Sequence, residues 1–216
     1  MATTATTAMT VRAAIEAGDA AALKALLAED ASLANEVIRW GPNDKNPSVP
    51  LQYVCDMLFE GPLEHGREMP LIEALLEAGA NIDHRHEMHG DTPLIAAASL
   101  LAEEVGLRLV AAGADVTLQG LFGATALHWA AMHGLVPLSE AMIAAGADVA
   151  LRDTEHDSGP IGWAVHGWKE DKPGVPRSQP DVVRLLVAAS APVSQELIDF
   201  LDPKDDAPFL AALKND

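Results

Sequence analysis

The 216-residue chain has one cysteine, few aromatic residues and little positive charge. A single cysteine excludes an intramolecular disulfide framework and fits a reducing compartment. Aromatic residues make up 4% of the sequence, so small side chains must fill most of any core. Basic residues number 14 against 32 acidic ones, a formal net charge of −18. That charge repels phosphate backbones and anionic bilayers, so neither nucleic acid nor a membrane is an expected partner. No apolar run approaches the ~18 residues of a membrane span. The opening MATTATTAMT lacks the basic and apolar regions of a signal peptide. A cytoplasmic location is therefore expected. The motifs G-x-G-x-x-G, G-x-x-x-x-G-K-[ST] and G-x-S-x-G are missing, so no cofactor is expected.

What the sequence does have is alanine and periodicity. Hydrophobic residues make up 49% and charged residues 21%, the balance of a globular chain. Asp91-Thr92-Pro93-Leu94-Ile95-Ala96-Ala97-Ala98 aligns with Ala124-Thr125-Ala126-Leu127-His128-Trp129-Ala130-Ala131, and the threonines stand 33 residues apart. Gly113-Ala114-Asp115-Val116 precedes Gly146-Ala147-Asp148-Val149 by the same 33, and Gly79-Ala80-Asn81-Ile82 lies 34 before Gly113. Thr92-Pro93 predicts a helix start, because threonine caps free N–H groups and proline at the next position loses no intrahelical bond. Leu138, Ala141 and Met142 recur at helical spacing, and the glycines suit left-handed helix ends. Each unit is thus a helix, a turn, a second helix and a loop, and stability must come from stacking.

In these motifs and their shared period the chain resembles the ankyrin-repeat family, in its single-domain, bacterial-like form. The resemblance implies an all-α solenoid of about five repeats, roughly 11–38, 45–85, 87–119, 120–153 and 154–193. Residues 1–10 are expected to be a flexible tail and 194–216 a C-terminal cap. The sequence departs from the family in long segments between paired helices near 60–66 and 169–179, in a Gly/Pro/Asn-rich loop over 39–49, and in Leu101 where the family places glycine.

The resemblance also implies a concave recognition surface made of loop tips and first-helix ends. Carried over position by position, it gives Met88, His89 and Asp91 in the third repeat. The fourth supplies Leu121, Phe122, Met132, His133 and Arg152, and the fifth His156, Ser158 and His166. Trp168, ahead of the second long loop, is the candidate pocket wall, whereas Trp129 and Trp163 read as packing between repeats. His128, at the fourth position of T-x-L-H, is implied to be a structural hydrogen-bonding residue. His84, His86 and His89 lack helical metal-site spacing, so no metal is expected.

Two functions are compatible with this pattern. The first is a monomeric binding module that recognises a protein, basic by charge complementarity, as an adaptor, inhibitor or sequestering partner. The alternative is a small-molecule-binding protein or acid–base enzyme. Its pocket would lie under the long loops, with His133 or His166 as base and Asp91 orienting it.

Overall fold

Threonine and proline start several helices of this protein, and left-handed residues stop them. The computed structural model describes residues 11–170 and 178–214. The tail over 1–10 and the middle of the second long loop, 171–177, lie outside the described residues. The chain divides into two compact units, up to Ala114 and from Asp115 onward.

The first unit holds α1 (residues 11–16), α2 (Ala20–Glu29), β1 (Ile38–Trp40), β2 (Asn46–Ser48), α3 (Pro50–Glu60), α4 (Glu68–Glu77), α5 (Pro93–Ser99) and α6 (Glu103–Ala111). Helix α3 has proline at its first position and ends at Gly61, φ 93°. Eight of its eleven residues are buried, because α4 and α5 both pack on it. Thr92 caps α5 by accepting a hydrogen bond from the Ile95 N–H at 3.3 Å. Pro93 to Ala98 are all buried; the run of alanines lets neighbouring backbones approach closely. Glu73 of α4 accepts two hydrogen bonds from the Arg108 guanidinium of α6, at 2.6 and 2.9 Å.

The segment over 39–49 differs from the expected loop. It forms most of an antiparallel hairpin, with Ile38 opposite Ser48 and Trp40 opposite Asn46. Gly41, Asn43 and Asp44 adopt left-handed φ values of 72°, 59° and 52°, and these residue types tolerate that region best. Leu101 follows α5 at φ 63°, the conformation for which the family uses glycine.

The second unit holds α7 (Ala126–His133), α8 (Val136–Ala144), α9 (Pro160–Glu170), α10 (Gln179–Ala188), α11 (Gln195–Phe200) and α12 (Ala207–Lys214). Helix α7 packs on α8 and α9, and α10 packs on α8, α9 and α12. Leu127, Leu138, Met142, Val182 and Leu186 are fully buried along these contacts, each contributing about 1.5–3 kcal/mol of burial. His128 has the structural role implied by the resemblance. Its Nδ1 accepts from the Thr125 N–H at 3.2 Å, and its Nε2 lies 3.1 Å from the Leu151 carbonyl oxygen. An accepting Nδ1 leaves the hydrogen on Nε2, so Nε2 donates to that carbonyl. Burial lowers the pKa of the ring and keeps it neutral. The fold class is all-α, and the one sheet among the described residues is the short hairpin.

Candidate functional site

The second unit carries a cavity of about 310 Å³ between the finger preceding α7, the finger preceding α9, and these two helices. Phe122, Trp129, Met132, His156, Ser158, Gly162, Trp163 and His166 line it. The two tryptophan rings stand nearly perpendicular, 4.9 Å apart, and Phe122 lies 6.0 Å from the His156 ring. The walls are therefore chiefly aromatic and apolar.

Backbone geometry places Phe122. It is left-handed, φ 63°, and 38% exposed. A bulky residue in that region costs about 1–2 kcal/mol, so something must hold it there. Thr154 does so by donating twice to the Phe122 carbonyl oxygen, from its N–H at 2.8 Å and its Oγ1 at 2.9 Å. The facing finger is organised by Asp153, which is 3% exposed. Its carboxylate accepts from the N–H groups of Glu155, His156 and Ser158 and from Trp163 Nε1, at 2.6–3.0 Å. Burial opposes the charge, but these four donors outweigh it and the pKa of Asp153 is lowered. The ring of Trp163 is thereby fixed at the back of the cavity.

The first unit has a second cavity, about 320 Å³, lined by residues of the hairpin, α3, α5 and the finger over 86–91. Met88, His89 and Asp91 belong to it, with Trp40, Gln52, Asp56 and His86. His89 Nδ1 lies 2.8 Å from Asp91 Oδ2. The rings of His86 and His89 stack at 3.8 Å, only 8° from parallel.

Comparison with known proteins fits this architecture. Residues 63–153 match the family description "Ankyrin repeats (3 copies)". These residues form ankyrin repeats. Mouse B-cell lymphoma 3 protein homolog is 37% identical to it over 84 residues, 39% of this chain and 19% of the relative. Human B-cell lymphoma 3 protein is 36% identical over 87 residues, 40% of this chain and 19% of that one. The chain thus spans about a fifth of the length of these relatives. Ankyrin repeats are a protein–protein interaction module. No helix among the described residues is long and apolar enough to cross a membrane.

The ankyrin fingers and first helices bring together Phe122, Met132, His156, Ser158 and His166. Met88 is 75% exposed and Leu121 39% exposed at their finger tips. Arg152 pairs with Asp157 at 2.6 Å and lines a neighbouring cleft of about 250 Å³ with His156 and Ser158. Two assignments need correction. His133 is 8% exposed, turned inward beside Trp129, because its position at the end of α7 faces the packed interior. Trp168 does not line the aromatic cavity; its indole donates to Asp206 at 3.1 Å and its ring packs on the buried Phe209. It anchors the C-terminal helices, whose acidic side chain requires a donor. His166 lies 3.1 Å from Glu170, one turn along α9. Asp91 faces His89 within the first unit rather than either proposed base.

Sequence reasoning missed Trp129, Trp163 and Gly162 as cavity walls. The two tryptophans do pack between repeats, as expected, but one packed ring can also present an edge to a cavity. Their offset of 34 residues, close to the repeat period, was the available signal: equivalent positions on successive first helices face the same side.

Proposed function

We propose that the second unit recognises a protein partner by admitting one apolar side chain of that partner into the Phe122–Trp129–Met132 cavity. The observation that carries the reading is Phe122 itself: an exposed aromatic residue held in a left-handed backbone by Thr154. Strain retained at an exposed aromatic is characteristic of pre-organised binding residues. Met132 adds an adaptable apolar wall, and buried aromatic anchors dominate interface energetics. The charge of −18 favours a partner with basic residues around that anchor, since complementary potentials raise the rate of encounter. In this reading the protein is a cytoplasmic adaptor, inhibitor or sequestering partner whose repeats occupy residues 11–193.

The test is quantitative affinity capture from the native cell with wild-type chain and with a Phe122→Ala/Met132→Ala variant. Partners specific to the wild type should be lost from the variant, while its melting temperature changes by no more than about 5 °C. Equal capture by both proteins would remove the cavity from the interface.

A further inference from the structure

The polar cavity of the first unit has an unusual hydrogen-bond inventory, in which most donors of its inner wall are used within the wall. Trp40 Nε1 donates to Ser48 Oγ at 3.1 Å, and Ser48 Oγ donates to Asp56 Oδ2 at 2.5 Å. His86 Nδ1 accepts from the Met88 N–H at 3.2 Å, so its hydrogen sits on Nε2 and goes to the Pro47 carbonyl oxygen at 2.7 Å. Ser99 Oγ donates to the Ala96 carbonyl oxygen at 3.2 Å. His89 Nδ1 lies 2.8 Å from Asp91 Oδ2, close enough for a charge interaction but out of line for a hydrogen bond. The exposed Asn46 amide, at the rim, also carries donors.

Gln52 completes the picture. It is 3% exposed, and its Nε2 donates to the Asp91 carbonyl oxygen at 2.7 Å. That bond fixes the orientation of the amide, because only the nitrogen can face a carbonyl. Its Oε1 is therefore the opposite atom, and it is buried with no hydrogen-bond partner. A buried acceptor left without a donor costs about 1–3 kcal/mol, and this one belongs to a residue lining the cavity. Asp56 and Asp91 line the same space. The inner wall thus presents acceptors and negative charge to whatever enters.

We propose that this cavity is a binding site for a small organic cation, an alkylammonium or alkylguanidinium group, held by Asp56, Asp91 and Gln52 Oε1. Such a group is rich in donors and has no acceptor, which complements this wall. An anion would meet two carboxylates, and a neutral amide would bring an acceptor to a wall whose donors, His89 Nδ1 apart, are engaged. A metal ion fits poorly, because no group of three or more His, Cys, Asp or Glu among the described residues is placed to hold one. The chain's charge of −18 draws cations toward the cavity. The site is separate from the aromatic cavity of the second unit and does not depend on that cavity's function.

Protonation tunes the site. Burial pushes the pKa of Asp56 up to about 6, against the Ser48 hydrogen bond and His86, while Glu60 adds to the rise. The titratable groups acting on Asp56 are His86 from the finger and, along its own helix, Glu60; Asp56 in turn helps burial to raise the pKa of the adjacent Cys55. Burial also lowers the pKa of His89, with the charge of Asp91 opposing and that of His86 assisting. Acid weakens cation binding, since Asp56 gains a proton as the pH falls through about 6, whereas the lowered pKa of His89 keeps that ring neutral to lower pH.

The experiment is a ¹⁵N–¹H NMR titration of the full chain with n-butylguanidinium, n-butylammonium, butyramide and butyrate. The amides of Gln52, Asp56 and Asp91 should shift with both cations and stay still with the amide and the anion. Asp56→Asn keeps an acceptor for Ser48 and should weaken cation binding about tenfold. Wild-type affinity should fall several-fold from about pH 7.5 to about pH 5, and less in Asp56→Asn. If that variant fails to fold, Asp91→Asn gives the same reading, since the backbone bonds at Asp91 remain. An acetylated arginine or lysine tripeptide amide binding at least about tenfold tighter than the free cation identifies a protein side chain as the source. Equal or weaker binding by the peptide identifies a free amine. No shift at about 10 mM of either cation, equal binding of butyramide, or wild-type affinity in both variants would overturn the proposal.

Discussion

Gly167 of α9 lies directly against Met132 of α7, so close that a Cβ at Gly167 would overlap the Met132 carbonyl oxygen. The neighbouring Gln179 donates to that same oxygen at 3.2 Å. Two helix backbones can approach in this way only where a side chain is missing. We predict that Gly167→Ala costs at least about 2 kcal/mol. Urea unfolding at neutral pH measures it, and an unchanged midpoint would mean that α7 and α9 are further apart than described.

A second prediction concerns the ends of the second helices. Gly79, Gly113 and Gly146 follow α4, α6 and α8 at φ 84°, 92° and 95°, and Ser190 follows α10 at φ 69°. A Cβ added at any of the three glycines meets nothing within 4 Å, so their cost on substitution is conformational. Gly113→Ala should destabilise by about 1 kcal/mol, and Ser190→Gly should stabilise by about 0.5–1 kcal/mol. Opposite signs in chemical denaturation are the expected result; equal signs would show that packing, not φ, governs these positions.

Asp153 gives a prediction in pH. Its pKa is lowered from 3.8, so the stability it contributes is present in full above that value. The contribution is lost as pH falls below 3.8 and through the folded-state value. Asp153→Asn turns an N–H toward at least one of four donors and should cost about 2–4 kcal/mol at neutral pH. The gap between wild type and variant should narrow as the pH is lowered toward about 2, measured by urea unfolding. A gap independent of pH would show that the carboxylate charge is not what holds the finger.

Leu127 tests the core of the second unit. It has no solvent exposure and lies in α7, which packs on both α8 and α9. Leu127→Ala should remove about 2–5 kcal/mol, combining lost transfer energy with the cavity left behind. A loss below about half a kcal/mol, read from the same denaturation curves, would contradict the assigned register.

The sequence by itself determined the repeat, its period and its helix ends. Thr92-Pro93, Thr125 with His128, and the glycines at 79, 113 and 146 act through local chemistry, in which capping and φ depend only on near neighbours. The all-α class and the structural role of His128 follow from those local rules. Tertiary structure alone decided which side chains face a cavity. His133 and Met132 are adjacent in sequence, yet one is buried beside Trp129 and the other lines the aromatic cavity. Trp168 was drawn away from that cavity by Asp206, 38 residues later. The hairpin over 38–48 and the unsatisfied Gln52 Oε1 are likewise non-local: each depends on partners brought in by packing. Periodicity specifies the face a residue occupies, but whether that face is covered depends on segments distant in the chain.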